Sequence, residues 1–142
     1  MNLSPEILLV DDNPADIDLF SDALAATPNG SRIQAVPDGE EAIAFLRRAS
    51  PYTQAIRPSL VILDLNLPRR DGRAVLADIK TDPSLRTIPV VVFTTSRSQR
   101  DIIRSYELGA NCYLSKPGSL QEYFATVQAI ENFWLKFATL PQ

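Results

Sequence analysis

Histidine is absent from the 142 residues, and cysteine, methionine and tryptophan occur once each. Without imidazole the chain has no Ser-His-Asp or Cys-His pair of its own and lacks the commonest zinc ligand. Any phosphohistidine in its chemistry must sit on another protein. A lone thiol, Cys112, forms neither an intrachain disulfide nor a cysteine-based zinc cluster, so nothing asks for an oxidising compartment. Long apolar runs are missing too: none approaches the roughly 20 residues that span a bilayer. Acids arrive early, at Glu6, Asp11 and Asp12, which leaves a cytoplasmic location with no membrane partner as the expectation. An excess of basic residues is also lacking, since 14 Lys and Arg face 17 Asp and Glu. The resulting charge of -3 argues against non-specific nucleic-acid binding, which neutralises phosphates with cations.

What is present suits one globular domain with a substantial core: 45% of the residues are hydrophobic and 22% are charged. Aliphatic runs of strand length alternate with helical patterns. Residues 6–10 read as a first strand, and Asp12-Asn13-Pro14 opens a helix to about Ala26 that Thr27-Pro28-Asn29-Gly30 breaks. Residues 32–36 give a second strand, and Asp38-Gly39 opens a helix from Glu40 to Ala49. The proline-bearing stretch from Ser50 to Pro58 is a loop, and Ser59 to Leu63 is a third strand ended by Asp64. Asp71-Gly72 precedes a helix through Val75, Leu76 and Ile79 that Asp82-Pro83 closes. Residues 88–93 form a fourth strand, Ser98 to Leu108 a charged helix, Cys112 to Ser115 a fifth strand, and Ser119 to about Phe137 a last helix. Five strands alternating with five helices predict a doubly wound α/β fold around a five-stranded parallel sheet.

In such sheets ligands bind at the carboxyl ends of the strands. Three pieces of the chain end there in charge: Leu9-Val10-Asp11-Asp12, Ile62-Leu63-Asp64 and Tyr113-Leu114-Ser115-Lys116-Pro117. Three carboxylates and one ammonium would therefore converge. Carboxylates crowded together raise one another's pKa, so the cluster implies a cation or a transferred proton. Magnesium suits it, because that ion takes oxygen ligands and is commonly held by one or two carboxylates plus a substrate phosphate. The lysine then serves as a point charge for a phosphate oxygen.

These residues carry a resemblance. The acidic pair Asp11-Asp12, Asp64 after the third strand, Pro68 and Asp71-Gly72 beyond it, Thr94 ending the fourth strand and Lys116-Pro117 ending the fifth resemble the receiver domain of bacterial two-component response regulators, a flavodoxin-like fold. The similarity is greatest to single-domain regulators that partner cyanobacterial and bacterial phytochrome histidine kinases, through Asp64-Leu65-Asn66-Leu67-Pro68, Ser105-Tyr106-Glu107-Leu108, Asn111-Cys112-Tyr113-Leu114 and Phe133-Trp134-Leu135. The resemblance implies one receiver domain over residues 1–142 that is a signalling phosphoacceptor rather than an enzyme. About 25 residues follow Pro117, too few for a DNA-binding output domain.

The resemblance also assigns roles. Asp64 would be the phosphoacceptor, whose carboxylate attacks a kinase phosphohistidine to form an acyl phosphate. The plainer reading, a solvated acid at a strand end, leaves Asp11, Asp12 and Lys116 on neighbouring strands unexplained. Asp12 would bind Mg2+ directly and Asp11 through water, with Asp64 and the Asn66 backbone carbonyl completing the set; the competing role for Asp12 is a helix N-cap. Lys116 and Thr94 would contact phosphate oxygens, because phosphoryl transfer rests on positioning and charge. Thr95 is the alternative to Thr94. Tyr113 matches the family's switch aromatic, against the reading of an ordinary half-buried strand residue. Asn66 would influence the approach of water to the acyl phosphate. Arg69 and Arg70 read as a solvated basic turn, with phosphate or kinase docking as the alternative. Arg97, Arg100 and Arg104, with Tyr106 and Glu107, form either a partner-facing surface or a solvated helix.

At about 100° per residue, Leu120, Tyr123, Phe124, Val127, Ile130, Phe133, Trp134, Leu135 and Phe137 sweep roughly 200°, wider than one sheet contact requires. The surplus predicts a homodimer through the C-terminal helix and tail, residues 119–142, using Tyr123, Phe133, Trp134 and Phe137. The alternative packs that arc under the terminal segment. Two rival functions stand beside the phosphoacceptor. A haloacid-dehalogenase-type phosphatase also uses an aspartate after a strand but needs a general-acid aspartate two residues on, where this chain has Asn66. A non-phosphorylated receiver-fold interaction module would be expected to have lost an acid, the acceptor or the lysine, all of which are retained.

Overall fold

The computed structural model describes residues 6–26 and 31–141. Five strands, β1 (Glu6–Val10), β2 (Arg32–Val36), β3 (Leu60–Leu63), β4 (Val90–Thr94) and β5 (Cys112–Ser115), form one parallel sheet in the order β2-β1-β3-β4-β5. Helices α1 (Pro14–Ala25), α2 (Gly39–Arg47), α3 (Gly72–Thr81) and α4 (Gln99–Glu107) connect successive strands, and α5 (Leu120–Glu131) follows β5. The expected doubly wound α/β arrangement with five helices is borne out. The turn expected at residues 27–30 lies outside the described residues.

Side chains alternate across a strand, so β1 feeds two cores at once. Leu8 and Val10 pack with Val61, Leu63, Val90 and Val92 and with Ile43, Phe45 and Leu76 of α2 and α3. Ile7 and Leu9 pack with Phe20 of α1, Ile62, Phe93, and Tyr123 and Val127 of α5. β3 and β4 are covered on both sides, which accounts for their unbroken aliphatic runs.

Local chemistry sets the helix starts. Asn13, not Asp12, caps α1, accepting from the N–H of Ala15 and Asp16, and Pro14 supplies the first helical position. Asp38, Asp71, Ser98 and Ser119 cap α2, α3, α4 and α5 in the same way. Arg48, at φ 54°, ends α2 two residues earlier than expected. β4 begins at Val90 rather than residue 88 and includes Thr94. Pro89 has no N–H for the ladder, although its carbonyl accepts from Val61 N–H.

The last helix departs most from expectation. Its α-helical part stops at Glu131, and Asn132–Phe137 continues as a π-helical turn closed by Ala138 N–H on Phe133 O. The wider turn breaks the 100° spacing used to predict its apolar arc. Among the described residues no helix is long and apolar enough to cross a membrane.

Candidate functional site

Strand register builds the site. Val10 is level with Leu63, and Leu63 with Val92, so β1 and β3 end side by side. Backbone bonds carry the alignment one residue further: Asp11 N–H donates to Val36 O (3.1 Å), Asp64 N–H to Val10 O (3.0 Å) and Lys116 N–H to Thr94 O (2.7 Å). Carboxylate oxygens of Asp11, Asp12 and Asp64 lie within 4.8 Å of one another, a cluster of the size and donor chemistry that a divalent cation takes. Asp11 and Asp64 are buried while Asp12 faces solvent.

Lys116 supplies the opposite charge. Its Nζ donates to Asp11 Oδ2 (2.7 Å), Asp16 Oδ2 (2.8 Å) and Asp64 Oδ2 (3.0 Å), which uses all three ammonium protons. It also stands 5.9 Å from the centre of the Phe93 ring. Burial alone would lower the lysine pKa, but the hydrogen bonds to Asp11 and Asp16 and the charges of Asp11 and Asp64 outweigh it, and the pKa rises. Burial pushes the Asp11 carboxyl up, against the hydrogen bonds from Lys116 and the Asn13 N–H. The cation therefore stays charged inside the acidic cluster.

Thr94 ends β4 completely buried, with its hydroxyl accepting from Ser96 N–H at 3.4 Å; Thr95 is exposed. Asn66 lies on the exposed loop after β3, and its N–H donates to Asp64 Oδ1 at 3.3 Å. Tyr113 is half-buried on β5; its hydroxyl donates to Ser96 O (2.9 Å) and its N–H to the Tyr106 hydroxyl (3.1 Å). Thr94 and Tyr113 thus meet at one residue, Ser96. A further chain of bonds holds that loop: Ser96 Oγ donates to Asp101 Oδ2 (2.6 Å), and Arg73 at the start of α3 bonds Asp101 Oδ1 (2.7 Å).

Several sequence expectations are corrected by the packing. Tyr123 does not belong to a surface patch: it is 4% exposed, tilted on Phe93 with ring centres 5.4 Å apart, and its hydroxyl donates to Asp16 O (3.2 Å). Trp134 is half-buried against the same core, leaving Leu120, Phe133 and Phe137 as the exposed apolar residues of this region. Arg69 and Arg70 lie on a largely solvated turn, as expected, where Arg69 also pairs with the buried Asp38 (3.6 Å) and Arg70 with Asp78. Arg97 reaches the carbonyl of Lys116 at 3.5 Å. Asp16 was missed altogether. It lies one turn into α1, on the side that Lys116 approaches, and no local pattern signals that side before the fold is known.

A cleft of about 360 Å³ opens beside Lys116 between α1 and the turn into α5, lined by Asp16, Leu19, Thr95, Pro117 and Tyr123. The geometry offers three clustered carboxylates for a cation and a fixed ammonium beside a cleft.

Comparison with known proteins gives this arrangement a family. The response regulator receiver domain matches residues 7–128, from β1 into α5. The response regulator Rcp1 of Synechocystis sp. is 49% identical over 95% of this chain and 92% of its own length. The crystal structure of the phosphorylated cyanobacterial phytochrome response regulator RcpA shares 50% identity at a TM-score of 0.95, covering 99% of this chain and 100% of that one. The Mn2+-bound form of Rcp1 gives 48% and 0.93, with coverage of 97% and 99%. With all five strands represented in the matched span and about half the residues shared along nearly the full length of such relatives, this chain belongs to the response regulator receiver domain family.

Proposed function

We propose that this response regulator accepts a phosphoryl group on Asp64 from a phosphohistidine of a partner histidine kinase and signals by protein contact. One observation carries the reading: Asp64 shares a cluster with Asp11 and Asp12 while its other face is held by Lys116 at 3.0 Å. In the transfer an Asp64 carboxylate oxygen bonds to phosphorus as the P–N bond breaks. The bonding pair returns to the imidazole of the kinase, and an acyl phosphate remains on Asp64.

Asp11, Asp12, Asp64 and the Asn66 carbonyl would hold Mg2+. The oxygen-only donor set suits a hard cation, and the Mn2+-bound form of the similar Rcp1 supports a divalent ion here. When bound, such an ion supplies charge neutralisation to phosphoryl oxygens. Lys116 and the Thr94 hydroxyl fit the remaining phosphoryl oxygens. A Thr94 hydroxyl that turns to phosphate gives up the Ser96 N–H, and the loop so released also anchors the Tyr113 hydroxyl, which is the switch this site would use.

The similarity to RcpA, a phytochrome response regulator, supports a phytochrome-type kinase as the phosphodonor. Phe133 and Phe137, 55% and 68% exposed, give the C-terminal region an apolar face for a homodimer. Intact mass after incubation with a small phosphodonor and magnesium tests the central step. One phosphoryl adduct, lost in Asp64→Asn and in excess chelator, is expected; an adduct that persists in Asp64→Asn refutes the assignment.

A further inference from the structure

Three carboxylates hold Lys116, and one of them, Asp16, comes from a helix rather than from a strand end. Asp16 Oδ2 is 2.8 Å from Lys116 Nζ, closer than Asp64 Oδ2 at 3.0 Å. It is not in the cluster of Asp11, Asp12 and Asp64, and its side chain is 22% exposed at the mouth of the cleft beside α1. The established elements of the fold do not require it: α1 is capped by Asn13, and the Tyr123 hydroxyl bonds the Asp16 backbone carbonyl rather than the carboxylate.

We infer that Asp16 is a positioning residue that holds Lys116 back from the phosphoryl group and so sets how tightly the acceptor site takes an anion. The inference rests on the phosphoacceptor reading of Asp64. Two physical effects act in the same direction. The ammonium has three protons and all are engaged, so an incoming phosphoryl oxygen must take over one of them. The Asp16 carboxylate holds one of these N–H groups by charge and anchors Nζ toward α1. Second, phosphorylation adds about one negative charge at Asp64, and Asp16 repels it. Both oxygens lie within 3.0 Å of the same nitrogen, hence less than about 6 Å apart. At that separation and an effective dielectric of about 20, one unit of charge alters an equilibrium by about a hundredfold, and by about tenfold once salt and solvent screen it.

Beryllium fluoride, a phosphoryl mimic that binds an acceptor carboxylate, reads this as an equilibrium. Its affinity is measured by calorimetry on the full chain at magnesium concentrations that saturate each variant, since losing an acid also weakens cation binding. Asp16→Asn is expected to bind the mimic about tenfold more tightly than the native chain, and Asp16→Glu to stay near native. A merely structural residue would give weaker binding when changed. Unchanged or weaker affinity in Asp16→Asn, with native binding normal, overturns the role of Asp16 and leaves the acceptor reading intact. A native chain that binds no mimic and takes no phosphoryl group overturns both.

Discussion

Gly72→Ala is the most discriminating single change for the link between fold and site. Gly72 is the first residue of α3, and a Cβ added there would sit 2.2 Å from Asp64 O, 2.7 Å from Leu65 Cα and 2.9 Å from Leu65 O. All three atoms are backbone, so no rotamer relieves the clash. Restoring ordinary contact requires a shift of about 1 Å in either the start of α3 or the acceptor segment. Overpacking of this kind costs about 1–3 kcal/mol. Alanine recovers at most about 1 kcal/mol of helix preference. The middle of the resulting range, a net loss of about 1.5 kcal/mol, lowers Tm by about 5 °C for a domain of this length. The functional effect should be larger, because about 1 Å of misplacement at a reacting group costs about a hundredfold in rate. Calorimetry and the phosphodonor mass assay measure the two effects on one sample. Gly118→Ala is the control, since nothing lies within 4 Å of its added Cβ. If Gly72→Ala matched the native chain in both Tm and labelling rate, the claim that α3 presses directly on the acceptor would be refuted.

Two further outcomes are expected. Lys116→Met leaves the buried Asp11 and Asp64 without their shared cation, at a cost of about 3–5 kcal/mol without metal, and a divalent cation should then raise Tm more in the variant than in the native chain; equal increments would contradict the charge accounting. Tyr52 donates to Glu41, and that bond, with burial and the charges of Glu41 and Asp38, pushes its phenol from 10.0 up to about 12. A folded pKa above the unfolded one gives stability that is complete below pH 10 and lost as the pH rises toward about 12. Glu41→Leu, which removes both the acceptor and the charge, should flatten that loss in alkaline denaturation curves and advance phenolate absorbance; an unchanged titration would show that Glu41 does not control the phenol.

Much of the fold was legible because its signals are local. The aliphatic runs at β1, β3 and β4 are long enough to read alone, and Asn13-Pro14, Asp38-Gly39 and Asp71-Gly72 mark helix starts through backbone capping that needs no tertiary partner. The acidic pair, Asp64 and Lys116 were found because they terminate such runs. What escaped depends on which way a helix faces once docked. Asp16 and Tyr123 lie on facing helices and meet through a backbone carbonyl, so one could be overlooked and the other assigned to the surface from the same missing information. The apolar arc of the last helix assumed regular α-geometry, and the π turn at Asn132–Phe137 removed that assumption.

The ion pairs of Lys116 join residues 105, 100 and 52 positions apart. Closing such spans is entropically slow and comes after local structure. During synthesis the acceptor and both members of the acidic pair emerge well before the strand that carries the lysine. A nascent chain ending in β4 would present Asp64 without its ammonium, so the charge pairing of the site is completed only with the last strand. The ion-pair cluster is in this sense a mark of a finished sheet, assembled only when the last strand is in place.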